Sequence, residues 1–281
     1  MTSERKDDSR MKDTSAVLYR GGTVYSDADR FATAILIEAG TISWIGDEQG
    51  ADVHERAGAA IVDLDSRLLT PAFGDAMGST GPTAADWASH GVALVVGGSG
   101  ENAFSELGLG GIEHFPRNER ARAVSRLAEV NLGEVACIDP TILDPDTDLA
   151  ALATRGVPFA FGTAPGEAVS PWSRVQHALA RGLSARAGFL ASTRGVWRAS
   201  SAPDAHSRGR LLVGTPATLA IWDHTELVTQ VADEHRSAWS SDARAGLPPL
   251  PAPGALDDAE WRAPICVRTV VDGQIVFDLI P

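Results

Sequence analysis

The sequence predicts an α/β fold joined to a β domain, and three observations carry that expectation. Short apolar bursts rich in β-branched residues mark both ends of the chain. The middle, from Gly74 to Arg208, alternates apolar strand patterns with helical ones, which predicts a parallel sheet wrapped by helices. Asp272-Gly273, set between two apolar-rich runs, is a strong two-residue hairpin signal.

From Ala16 to Asp65 the bursts are VLYRGGTVYS, TAILIEAGTISWIG and AIVDLDS, all read as strands, with turns at Gly21-Gly22 and Ala39-Gly40. A short helix is expected over Thr83 to His90, with Pro82 suited to its first turn, followed by the strand GVALVV and the loop GGSGEN. Then come GLGGIEH, a helix from about Asn118 to Leu132, the strand EVACID, a helix over Leu149 to Arg155 and the strand VPFAFG. Two further helices are expected over Pro171 to Arg181 and Ser184 to Arg198. Strands return in GRLLVGTPATLAIWD and in the hairpin CVRTVVDGQIVFD. Between them Ala243 to Pro264, rich in proline and glycine, reads as a long surface loop.

At 281 residues, 44% hydrophobic and 22% charged, the chain can bury a substantial core. A formal net charge of −13 argues against a nucleic-acid partner and against an anionic membrane surface. Two cysteines far apart, Cys137 and Cys266, are too few for a disulfide framework, so the expected location is cytoplasmic. Residues 1–15 are charged throughout and are expected to form a disordered tail, neither signal peptide nor anchor. No apolar run approaches the ~20 residues of a membrane helix.

Ile61 to Thr80 reads IVDLDSRLLTPAFGDAMGST. Its Asp63, Leu68, Pro71, Phe73 and Asp75 resemble the pattern V-D-x-x-G-x-x-x-x-P-G-F-x-D-x-H-x-H of the amidohydrolase superfamily, which closes a small β domain and opens a metal-binding barrel. The resemblance runs from about Val17 to Phe277. It points to the long-chain, amidohydrolase-3-like members through their helix A-x-T-R-G-x-W-R-A, matched by Ala191 to Ala199. It implies a composite β-sandwich from residues 16–72 and 208–281, and a shortened, degenerate TIM-barrel-like domain over 73–207. That stretch is about half of the ~250 residues an eight-stranded barrel takes. Matched to the family, the surviving strands are its first, fifth, sixth, seventh and eighth. The expected sheet is open and parallel in the order 5-6-7-8-1, with edges at Phe73 to Ala76 and at Val92 to Val96. Exposed edges of that kind invite a homo-oligomer or a covering loop.

The family's activity is metal-dependent hydrolysis of carbon–nitrogen bonds other than peptide bonds. Here the resemblance meets lost ligands. The histidine pair is Met77 and Ser79, Gly97 stands at another ligand histidine with Glu101 at the aspartate that follows, and Ala164 replaces the aspartate that binds metal and shuttles the proton. Neither a thioether, a hydroxyl nor a methyl group replaces those ligands. His114, closing GIEH, resembles the histidine of R-I-E-H and is the only retained ligand. Asp75, Glu101 and Asp139 fall at or just after strand ends and are the candidate carboxylates. With His114 they suit a hard metal; equally, Asp75 and Asp139 suit the fixing of local turns. Gly98 to Ala103 formally fits G-x-G-x-x-A but lacks the acidic residue that a dinucleotide site needs, and Glu101 breaks any nucleophile elbow around Ser99. The expectation is a pseudoenzyme with a binding or assembly role, no cofactor and an unidentified small-molecule ligand. The alternative is an active hydrolase with zinc or a similar divalent metal in a site rebuilt around His114.

Overall fold

A computed structural model of the chain describes residues 16–78, 81–97, 111–124, 130–131, 133–224, 226–228, 248–252 and 254–280. The expected tail over 1–15, Ser79 and Glu101 lie outside the described residues.

The chain opens with β1 (Val17–Arg20), β2 (Thr23–Val24), β3 (Ala34–Glu38) and β4 (Thr41–Gly46), then α1 (Glu48–Arg56), β5 (Ala60–Asp63) and β6 (Leu68–Pro71). Four of these strands form a sheet in the order β4-β3-β1-β5. The β3–β4 hairpin turns through Ala39 (φ 49) and Gly40 (φ 79), the left-handed pair that a two-residue loop demands. Only strands were expected here, and α1 was missed because it buries a single residue, Ala51, and shows no apolar stripe. Charge holds it instead. Asp47 caps its N-terminus at Gly50 N (2.9 Å). Glu48, Asp52 and Glu55, one face of the helix, all pair with Arg20 on β1.

The middle of the chain supplies β7 (Phe73–Asp75), α2 (Ala84–Ser89), β8 (Val92–Val96), β9 (Glu113–Phe115), β10 (Ala121–Ala123), β11 (Val135–Ile138), α3 (Leu149–Thr154) and β12 (Phe159–Phe161). Three helices follow: α4 (Pro171–Ala180), α5 (Ala185–Ser192) and α6 (Arg194–Ala199). The strands form two parallel sheets, β7-β8-β9 and β10-β11-β12. Ala76 N donates to Phe161 O at 3.0 Å, so the end of β12 adjoins the end of β7.

That topology corrects the expected order 5-6-7-8-1. The strand GVALVV (β8) is no edge; it lies between β7 and β9. The expectation left the room of three missing strands open between the first and fifth. Instead the short connection through α2, closed by a Thr83–Asp86 capping box, lays β8 directly against its predecessor. Consecutive strands usually neighbour each other, and pairing saves two rows of backbone hydrogen bonds that an open edge would expose. The helix expected from Asn118 is also overturned in its first turn, where Ala121–Ala123 pairs with β11. Asn118 makes the turn before it, its Oδ1 accepting from Arg120 N at 3.0 Å. The single helix expected over Ser184 to Arg198 is two, broken at Thr193 (φ −118, ψ −90). The break drives α6 against β12 so closely that a Cβ on Gly195 would stand 2.3 Å from Phe159 O, which only glycine permits.

The chain ends in β13 (Leu219–Asp223), β14 (Leu227–Val228), β15 (Leu250–Pro251), β16 (Ile265–Val271) and β17 (Gln274–Asp278). Of these, β13, β16 and β17 join β6 and β2 in a five-stranded sheet, β17-β16-β13-β6-β2, to which both halves of the sequence contribute, while β14 and β15 pair with each other. The β16–β17 turn is Asp272 (φ 48) and Gly273 (φ 80). One aromatic cluster ties this sheet to the parallel ones: Phe73, Trp172 and Trp222 meet edge to face at 5.1–5.4 Å. Trp222 Nε1 is satisfied by Thr70 Oγ1 at 2.9 Å. Helices α4 and α5 thus cover one face of the parallel strands. Val196 and Trp197 of α6 pack on the other, with Ala76, Leu94, Cys137 and Ala160. Among the described residues no helix is long and apolar enough to cross a membrane.

Candidate functional site

In α/β proteins the functional groups gather where parallel strands end, because there the loops converge. Three ends meet here, those of β7, β11 and β12. Asp75 closes β7 and is fully buried. Its Oδ1 accepts from Met77 N (3.0 Å) and Gly78 N (3.2 Å). Its Oδ2 accepts from Thr163 N (2.6 Å) and Arg174 Nη1 (2.8 Å). A carboxylate offers about four lone-pair positions, and all four are taken. Asp139, following β11, is committed in the same manner: Oδ1 to Thr141 N and Oγ1 (2.9 and 2.7 Å), Oδ2 to Ala164 N (2.8 Å). Two carboxylates thereby stitch three strand ends together through backbone N–H groups.

Arg174 is the residue that sequence reasoning missed. Its side chain is 2% exposed and forms with Asp75 an ion pair sealed from water. Nη1 also donates to Thr163 Oγ1 at 2.9 Å, while Nε and Nη2 have no hydrogen-bond partner among the described residues. A signal was there: Pro171, Arg174, Val175 and Ala178 share one helical face, and an arginine on a stripe flanked by Trp172 demands a buried acceptor. A second guanidinium, Arg117, caps the same strand end from the other side, donating from Nε and Nη2 to the carbonyls of Ala76 (3.1 Å) and Met77 (2.8 Å).

Among the described residues, the ligand positions implied by the resemblance do not form a metal site. The backbones at positions 78 and 97 touch, so that a Cβ built on Gly97 would lie 2.6 Å from Gly78 Cα. No room exists there for a histidine side chain. Ala164 is buried and engaged through its backbone. His114 pairs in register with Val95 on β8, and burial holds its imidazole below its ordinary pKa. Among the described residues no group of three or more His, Cys, Asp or Glu is arranged to hold a metal ion. The described residues therefore do not fit the metal that the fold implies, since the strand ends offer one imidazole, the saturated Asp75, and Asp139 with three hydrogen bonds already accepted.

Beside His114, but alternating to the opposite face of the strand, Glu113 belongs to a charge cluster around Arg208. Arg208 pairs with Asp204 (2.6 Å), Glu113 (3.4 Å) and Asp272, and its guanidinium lies 4.9 Å from the centre of the Trp197 ring. Burial and then the Asp272 carboxylate push the Glu113 carboxyl up to about 7, against the pull of Arg208. Its Oε2 is buried without a hydrogen-bond partner among the described residues, which costs less for a neutral acid than for a carboxylate. A folded-state pKa above the unfolded one means that the native state holds the extra proton between about 4.5 and about 7. Stability should therefore fall as pH rises through that window. Glu113→Gln should remove this slope and stabilise the protein by about 1–3 kcal/mol at pH 8. Urea denaturation at a series of pH values reads it; an unchanged slope in the variant would assign the effect elsewhere.

Parallel strands flanked by helices, backed by antiparallel sheets drawn from both ends of the chain, define a mixed α/β protein of the amidohydrolase type of fold. Its structural neighbours are members of the amidohydrolase superfamily. A mutant of atrazine chlorohydrolase from Arthrobacter aurescens TC1, complexed with zinc and atraton, matches with a TM-score of 0.60 at 13% identity, over 93% of this chain and 95% of that one. Ochratoxinase from A. niger matches with a TM-score of 0.60 at 9% identity, over 94% and 96%. Enamidase, a named member of the superfamily, matches with a TM-score of 0.57 at 14% identity, over 94% and 96%. At these identities the likeness is one of fold. No protein-family model and no curated protein matches the chain.

Proposed function

We propose that this chain is an amidohydrolase-superfamily protein that has given up metal-dependent hydrolysis of carbon–nitrogen bonds and acts through binding or assembly. The observation that carries the reading is the state of the strand ends. Asp75 is saturated by Arg174 and three backbone donors, and the Gly78–Gly97 contact fills the space that ligand side chains need. A guanidinium neutralises Asp75 from a fixed position, and among the described residues no group of ligands is left to hold a metal that would activate a water. The same reading takes residues 16–72 and 208–281 as a composite β-sandwich and 73–207 as a shortened barrel-like domain. It places the protein in the cytoplasm, without nucleic-acid or membrane partners and without a resident cofactor, and able to associate with itself through a sheet edge.

Purified without added metal, the protein is expected to carry well under one equivalent of any transition metal, measured by elemental analysis. About one zinc per chain that resists mild chelation would overturn the reading. It would favour the second one, a hydrolase rebuilt around His114, which the hydrolase names of the structural neighbours support. His114→Ala separates the two: metal content should stay unchanged under the first reading and be lost under the second.

A further inference from the structure

At the opposite end of the parallel sheet, where β11 and β12 begin, a cavity of about 650 Å³ opens beside Val157, and a second of about 870 Å³ shares four lining residues with it. Arg194, Arg198, Arg208 and Arg210 line the first together with His206, and among the described residues no carboxylate does. In a chain of net charge −13, four guanidiniums around one hollow do not follow from composition. Among the described residues Arg208 is neutralised, by Asp204 and Asp272. The nearest carboxylate to Arg194 is Asp27 at 4.0 Å, which also serves Arg186 at 3.0 Å. Arg198 and Arg210 form no ion pair among the described residues, and Arg210 Nε is buried without a hydrogen-bond partner. Burial, Arg210 and the further positive neighbours Arg186 and Arg198 hold the Arg194 guanidinium below its usual pKa against the pull of Asp27. Like charges kept close in a concave, partly dry site raise the free energy of the empty protein, and an anion relieves it.

We propose that this cavity is a binding site for a small phosphate monoester carried on an apolar body. Two guanidiniums without an ion pair among the described residues, and a third that shares Asp27 with Arg186, exceed what a single carboxylate balances, whereas a phosphate brings about two charges and oxygens spaced for the planar arginine fork. Leu190, Ala187 and Val157 supply an apolar wall next to the arginines. The volume lies in the range of small-molecule sites, and the acidic remainder of the surface disfavours a long polyanion such as nucleic acid. The site lies away from Asp75 and does not depend on whether the chain hydrolyses anything.

Calorimetric titration of the full chain with phenyl phosphate, inorganic phosphate, benzoate and phenol tests it. Phenyl phosphate is expected to saturate one site at least ~10-fold more tightly than benzoate or phenol, with inorganic phosphate between. Arg210→Gln and Arg194→Gln should each weaken it ~10-fold. Arg198→Gln, at an exposed side chain that the fold does not need, should weaken it severalfold with an unchanged melting temperature. No saturable heat with millimolar phenyl phosphate, phenol binding as tightly as its phosphate, or native affinity in Arg198→Gln would each overturn the assignment.

Discussion

Replacing Arg174 with leucine is expected to lower the stability of the protein by about 3–5 kcal/mol, the cost of leaving a buried carboxylate without its counter-charge. Asp75 is fully buried, and the three backbone donors that remain, Thr163 N, Met77 N and Gly78 N, carry only partial charge. Adding Asp75→Asn should return part of the loss, because the amide oxygen can still accept from Met77 N and Gly78 N while the isolated charge is gone, though its NH2 then faces Thr163 N. Denaturant titration of both single variants and the double variant gives the coupling directly. A single-variant loss below about 1 kcal/mol would show that Asp75 is not ionised against Arg174. A large coupling would establish that a guanidinium has taken over the charge balance of this strand end, which is the physical content of the proposed loss of metal chemistry.

Gly97→Ala is the second large effect, with an expected cost of about 3 kcal/mol. The added methyl would stand 2.6 Å from Gly78 Cα and 3.2 Å from Gly78 N, and backbone cannot swing aside as the tip of a side chain can. Gly78 itself adopts φ +61, so the two glycines hold each other in a close crossing that any side chain opens. Gly97→His, which formally restores a family ligand, should therefore destabilise at least as much and bind no zinc. A stable Gly97→His variant that takes up one zinc would show that the site can reopen. Thermal melts with and without zinc distinguish the outcomes.

Particular residues show how far the sequence could be read. Met77 and Ala164 stand where the resemblance implies metal ligands, and a thioether and a methyl are poor donors in any fold. Capping and turn chemistry are equally local. Thr83 and Asp86 reciprocate across one helical turn, and Asp272-Gly273 takes the left-handed pair of angles that its residue types favour. The short strand at Ala121–Ala123 was invisible because its pairing with β11 overrides the local pattern, and Arg120 and Arg122 alternate with alanines in a segment otherwise suited to helix.

The sequence by itself therefore determined the class of fold and the turns, which rest on residue type and on neighbours a few positions away, and the proposed loss of imidazole ligands rests on residue identities at Met77, Gly97 and Ala164. The tertiary structure alone decided three things: that β8 closes up against β7, that the backbones of Gly78 and Gly97 meet, and that Asp75 finds Arg174, 99 residues distant. Each is a contact between segments remote in sequence. Its free energy comes from packing and from the removal of water, and no local pattern along the chain encodes which partner will be there.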